Sequence, residues 1–232
     1  LPMLAASIAG ARASGGRLLF PGTVYNYGED AFPTITEASP QTPISRKGAI
    51  RVRMEQALRD SGVPVLIVRA GDFFGPRPGN NWLSQGIVKP NRPIAAVTYP
   101  GPLDVPHAWA YLPDVADTFV SLLATDLGPH ETFHMRGHTV TGHELVEGLE
   151  VAAGRRLRVQ RLPWLAVAAA APFNETLREM QEMRYLWQRP VLMCNAKLVA
   201  RLGEEPRTPL PEALQATLDG QGSLPHPMRP AA

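Results

Sequence analysis

Two apolar runs in this sequence end in glycine-bearing loops, FPGTVYNYG at residues 20–28 and RAGDFFGP at residues 69–76. The side chains able to do chemistry gather around them. The first loop presents phenols at Tyr25 and Tyr27, and between the loops Lys47 and Arg51 stand four residues apart. On a helix that spacing puts both cations on one face. A lysine beside a second cation can have its pKa lowered enough for acid–base work. The plainer alternatives are a solvated basic face and two aromatics packed at a strand exit. His107 alternates with Trp109 and Tyr111 and is the histidine near this cleft with an acid–base role open to it. The histidines at 130, 134, 138 and 143 have spacings that invite a metal reading, but Gly137, Val140 and Gly142 break any common helix. No carboxylate or cysteine completes a set, so no metal site is expected. Cys194 lies in an apolar run without a basic neighbour and reads as an inert core thiol.

The elements that must position these groups follow from periodicity. Residues 17–20 and 63–68 are bounded apolar runs, expected as strands buried on both faces. Between them Ser45 can cap a helix ending at Gly62, with Ile50, Met54, Ala57 and Leu58 at helical spacing. Strand–helix–strand of this length is a parallel crossover, and ligands in such sheets lie at the carboxyl ends of the strands. Residues 1–14 carry Leu4, Ile8 and Ala11 as one apolar stripe. Downstream, strands are expected at 94–99, 132–135 and 157–162, and a helix at 142–153 opened by a Thr141/Glu144 capping box. Residues 163–188 read as helical, Pro211 can open a short last helix, and residues 220–232 have the Pro and Gly content of a disordered end.

Taken together, these motifs resemble the extended short-chain dehydrogenase/reductases, the NAD-dependent epimerase/dehydratases. In that family a strand ends in a Ser/Thr-bearing segment closing on Tyr-Gly, as residues 20–28 do here. A Thr-Glu loop follows, as Thr36-Glu37, and the next strand exits through Arg-Pro-Gly-x-x-x-Gly-Pro, similar to Arg69-Ala70-Gly71 with Gly75-Pro76. Tyr111 to Ala116 looks like the family's Val-x-Asp-Val-Ala segment, and Asn195-Ala196-Lys197 with Leu202-Gly203 like a late Asp-x-x-Lys…Leu-Gly element. The resemblance spans roughly residues 1–220. It implies an α/β fold, a doubly wound parallel Rossmann-like sheet that is N-terminally incomplete, with a smaller C-terminal α+β substrate domain. Residues 1–76 would be the later half of a dinucleotide-binding domain, with 107–125 returning to it. Residues 77–106 and 126–220 would be the substrate domain, and 221–232 a disordered tail.

The resemblance further implies NAD or NADP as cofactor and a small polar substrate, conceivably a nucleotide sugar, reacting at a hydroxyl or carbonyl carbon. Thr23 takes the catalytic Ser/Thr position. Counting back from Glu55, Lys47 stands where the family has its catalytic Tyr and Arg51 where it has the Lys of Tyr-x-x-x-Lys. Lys47, Tyr25 or Tyr27 would then move the proton, Arg51 would take the ribose, and Gly71, Asp72, Phe73 and Phe74 would line the nicotinamide. Asn80, Asn81, Trp82 and His107 become candidates to contact substrate. Helices near 1–14 and 45–62 would form a homodimer. The family's Gly-x-x-Gly-x-x-Gly turn has no counterpart, since Gly10 and Gly15-Gly16 read as a helix exit, so the cofactor-binding half is read as missing on the N-terminal side. The enzyme reading leads, and loss of the Tyr/Lys pair keeps two others open: a non-catalytic dinucleotide-binding or ligand-sensing protein, and a fragment without a complete cofactor site.

Composition narrows the remaining classes. With 23 basic and 21 acidic residues and no basic block, nucleic acid is not an expected partner. Residues 164–173 form the most apolar helical stretch, too short to span a bilayer and broken by Pro172, so no membrane association is expected. A single cysteine and no signal-peptide pattern suit a reducing, cytoplasmic setting.

Overall fold

The computed structural model describes residues 2–77, 79 and 81–224. Asn80 and the tail from 225 onward therefore lie outside the described residues. Helix α1 (Pro2–Ser14) leads into β1 (Leu18–Thr23), and a short β2 (Thr34–Ile35) precedes α2 (Arg46–Asp60). Ser45 caps α2 by accepting from the Gly48 N–H at 3.1 Å, and the chain leaves it through Gly62 at φ +72°, a left-handed position that suits glycine. Strand β3 (Val65–Ala70) follows, every residue buried, and β4 (Asp72–Phe74) continues from it. Strand β1 pairs with β3 in parallel from Leu18↔Val65 to Thr23↔Ala70. Both strands therefore deliver their exit loops to the same edge of the sheet.

The middle of the chain supplies β5 (Ala96–Tyr99), β6 (His107–Tyr111), α3 (Leu112–Leu123), β7 (His130–His134), β8 (His138–Val140) and α4 (Gly142–Ala153). The Thr141/Glu144 capping box forms in both directions. Strand β7 joins the parallel sheet on the far side of β3, giving the order β1-β3-β7. Apolar side chains cover both faces of that sheet. Leu4, Phe20, Leu58, Val65 and Ile67 pack beneath α1 and α2, while Leu66, Val68, Phe119, Leu122, Phe133 and Leu198 pack on the other face. Helices on both faces of a parallel sheet make the doubly wound arrangement.

The last third holds β9 (Arg158–Arg161), α5 (Trp164–Ala170), α6 (Glu175–Glu182), β10 (Leu192–Met193), α7 (Ala196–Leu202) and α8 (Leu210–Gly220). Two expectations need correction here. Residues 126–135 and α7 belong to the main sheet's layer, not to a substrate domain, because Phe133 and Leu198 bury themselves against β3 and α3. Residues 163–188 are helical, as expected, but in separate pieces: Ala171–Phe173 is a 3-10 turn, and the Asn174 side chain accepts from the Leu177 N–H to start α6 afresh. Residues 221–224 also belong to the fold. Gln221 and Ser223 are buried, and the Gln221 amide donates to the Gly75 carbonyl at 3.1 Å and to Ser84 Oγ at 2.8 Å. Those polar side chains find partners inside the fold, which their composition alone did not reveal. Among the described residues no helix is long and apolar enough to cross a membrane.

Candidate active site

At the edge where β1 and β3 end, a small cleft of about 90 Å3, open to solvent, is lined by Tyr25, Lys47, Asn81, Trp82, Glu179 and Met183 among others. Its walls come from distant stretches of chain. Tyr25 sits on a 3-10 turn, Val24–Asn26, immediately after β1, and Lys47 lies in the first turn of α2. Asn81 caps a π-helical turn, Trp82–Ile87, by accepting from the Ser84 N–H at 2.8 Å. The opposite wall is α6, where Glu179 Oε2 pairs with Lys47 Nζ at 3.0 Å, both side chains partly exposed. The part played by α6 was not foreseen, since no local signal links residues 176–183 to Lys47.

Behind the Tyr25 phenol lies a buried chain of hydrogen bonds. Tyr25 donates to Asp72 Oδ1 at 2.5 Å, and Asp72 Oδ2 meets His107 Nε2 at 2.8 Å. His107 Nδ1 faces the Leu186 carbonyl at 3.1 Å, and its ring stacks on Trp187 with centroids 3.9 Å apart. Burial, then the Asp72 carboxylate, raises the Tyr25 pKa well above its ordinary 10. His107 is thus not a substrate contact: at 2% exposure it lies behind Asp72, which itself lies behind Tyr25 in the cavity wall. Asp72 likewise turns its carboxylate to Tyr25 and His107.

Tyr27 is a second correction. It is fully buried, receives a hydrogen bond from Arg69 Nη1 at 2.7 Å and meets His134 Nε2 at 2.9 Å, so it does not face the cavity. Burial outweighs Arg69 and pushes its pKa to about 12. Arg69 itself is clamped by Glu55, Nε to Oε1 at 3.0 Å and Nη2 to Oε2 at 2.5 Å. Burial and the Arg69 charge press His134 from 6.5 to about 3, and burial with Arg207 presses His138 to about 4. The folded protein therefore holds these rings neutral where the unfolded chain would protonate them. Stability is full above the unfolded value of 6.5 and is lost as pH falls toward the folded values. Replacing His134→Gln removes one such group, and its urea-unfolding free energy should fall less than that of the wild type, by about 2 kcal/mol, on going from neutrality to about pH 5.

The remaining expected residues divide. Phe74 is core, edge-on to Trp109 and against Tyr111, and Phe73 packs beneath α3. Gly71 is required by the protein itself, since a Cβ there would stand 2.1 Å from the Ala108 carbonyl oxygen. Thr23 is buried at the end of β1, and its Oγ1 has no hydrogen-bond partner among the described residues. Arg51 is half-buried over the Phe20 ring, with Nη1 at 3.4 Å from the Pro21 carbonyl, and burial lowers its pKa.

Residues 4–135, more than half of the chain, match the model of the NAD dependent epimerase/dehydratase family. The chain belongs to that family. No curated protein matches it in sequence. Among solved structures, L-threonine 3-dehydrogenase from Trypanosoma brucei superposes with a TM-score of 0.68 at 16% identity, over 97% of this chain and 70% of that one. RMD from Pseudomonas aeruginosa, complexed with NADPH, gives 0.66 at 20% identity over 96% and 72%. UDP-glucuronic acid 4-epimerase from Bacillus cereus, in complex with NAD, gives 0.64 at 17% identity over 88% of this chain and 58% of its own. At these identities the shared property is the fold.

The family's cofactor can be tested against the groups present. At the strand exits an unpartnered, buried Thr23 hydroxyl and a half-buried Arg51 without a carboxylate partner among the described residues suit the nicotinamide-ribose end. The backbone turn that family members use for pyrophosphate is not among these residues. Phe74 and Asp72 are spoken for by the protein interior.

Proposed function

We propose that this chain carries the substrate side of an NAD(P)-dependent oxidoreductase or epimerase acting at a hydroxyl or carbonyl carbon of a small polar molecule, a nucleotide sugar being the leading class. One observation carries the reading. A solvent-open cavity at the carboxyl edge of a parallel sheet brings a phenol, an ammonium and an amide side chain onto its walls. A bound nicotinamide would accept or return the hydride. Within the chain, Thr23 hydrogen-bonds the reacting oxygen, Tyr25 or Lys47 moves its proton, Arg51 holds the ribose, and Asn81 and Trp82 orient the substrate. A dimer through α1 and α2 belongs to the same proposal.

A non-catalytic binding protein is the second reading, and the Lys47–Glu179 pair favours it, because it ties up the cation that stands in the family's tyrosine position. Nicotinamide absorbance, followed with the full-length protein and a panel of hydroxylated substrates, separates the two. Turnover is expected, and Thr23→Val should reduce kcat by about 100-fold, the scale of losing one donor to a reacting oxygen. Because Thr23 Oγ1 has no partner among the described residues, the isosteric change should leave stability intact. Saturable cofactor binding without turnover across the panel would establish the second reading instead.

A further inference from the structure

We infer that Asp72 and His107 form a proton relay behind Tyr25, so that the phenol passes a proton inward without itself ionising. The inference rests on the proposed function of the same cavity and names the groups that would hold its proton.

The hydrogen-bond inventory sets the terms. A carbonyl oxygen can only accept, so the contact to Leu186 places a hydrogen on His107 Nδ1. A carboxylate also accepts only, so the 2.8 Å contact between Nε2 and Asp72 Oδ2 holds one further hydrogen between ring and carboxyl. With that hydrogen on Nε2, Asp72 is a carboxylate whose other oxygen already receives the Tyr25 O–H at 2.5 Å. The stack on Trp187, 3.9 Å and 4° from parallel, fixes the plane of the imidazole. His107 is 2% and Asp72 3% exposed, so water does not compete for the chain of bonds. Only its outer end, Tyr25, reaches the cavity. The other ionisable groups acting on it are Tyr99 and Tyr185 beside Asp72, and Arg51 beside Tyr25.

The step balances in both directions. In oxidation, the substrate O–H breaks and its proton bonds to Tyr25 Oη as the phenol's own proton moves to Asp72 Oδ1. A bound oxidised nicotinamide would take the carbinol hydride with its electron pair, leaving a carbonyl. In reduction each transfer reverses, and the phenol protonates the new alkoxide while Asp72 returns its proton. Tyr25 is neutral before and after, as suits a phenol whose anion is disfavoured by burial beside a carboxylate. His107 acts as a positioning residue: it orients Asp72 and balances its charge without touching substrate.

The test uses full-length protein labelled with 15N-histidine. Proton NMR should show a ring N–H far downfield of the amides, abolished in His107→Gln and displaced in Tyr25→Phe, because the phenol is bonded to the same carboxylate. With a turned-over substrate, His107→Gln should lower kcat about 100-fold with KM little changed, and should shift the pH–rate profile. Asp72→Asn, nearly isosteric, gives the same kinetic test if His107→Gln does not fold. A ring resonance indifferent to Tyr25→Phe overturns the relay. So does wild-type turnover whose kcat and pH profile survive His107→Gln, and in that case the proposed function stands. Absence of nicotinamide-linked turnover in the wild type is the distinct signature of failure of the proposed function itself, and removes the relay's catalytic role with it.

Discussion

Glu55→Ala should cost about 3–5 kcal/mol of unfolding free energy, a large share of the roughly 5–15 kcal/mol that holds an ordinary domain folded. The reason is the charge it would strand. Glu55 is 0% and Arg69 2% exposed, and the guanidinium makes two bonds to the carboxylate while Asn26 Nδ2 makes a third at 2.7 Å. Removing the carboxylate leaves a buried cation with a phenol and a neutral imidazole for company. A double change, Glu55→Met with Arg69→Met, should recover a good part of the loss, because replacing a buried ion pair by apolar groups is often nearly neutral. Urea midpoints for the single and double variants decide it. Equal destabilisation by both would mean that shape, not stranded charge, sets the cost. The same network flanks the site, since Asn26 and Tyr27 directly follow Tyr25 on the turn after β1, so loss of the Glu55 carboxylate should also loosen the cavity wall.

The outcome shows where one-dimensional reading reaches. The β1–α2–β3 unit was legible because its signals are local: an apolar run, a capping serine, a helical stripe and a glycine exit. The gathering of Lys47, Asn81 and Trp82 at one edge followed from the rule that parallel strands present their loops together. What failed was pairing at a distance. Tyr25 and Tyr27 are alike in type and context, but Tyr25 sits on the 3-10 turn and lines the cavity, while Tyr27, just after it, is sealed against Arg69 and His134. His107 stood out for its ionisable ring, but its partner Asp72 lies 35 residues earlier in the chain, brought near by the parallel register that sets Asp72 against Trp109. The expectation that Asp72 lines a cofactor followed the family motif and missed that pairing. Strand β7 escaped the main sheet in the sequence reading because a short run bearing two histidines carries no mark of which strand it will join.

Tyr25→Phe should reduce kcat by about 10^2–10^4-fold, the range for loss of a proton carrier, whereas Lys47→Ala should chiefly raise KM. The two residues face one cavity but differ in what surrounds them. Lys47 is a partly solvated ammonium paired with Glu179 at 3.0 Å, an arrangement that places a cation beside a substrate and stabilises little on its own. Tyr25 is backed by a buried carboxylate and an imidazole fixed on both sides, so a proton entering at the phenol has somewhere to go. Removing the phenol oxygen breaks that path and leaves the cavity's shape nearly unchanged. Steady-state kinetics on both variants, with circular dichroism confirming that each is folded, separate the roles. Should Lys47→Ala carry the larger loss in kcat and Tyr25→Phe the smaller, the ammonium at the family's tyrosine position would be the proton carrier. The Tyr25 phenol would then be a wall of the cavity, bonded to Asp72 for structure alone.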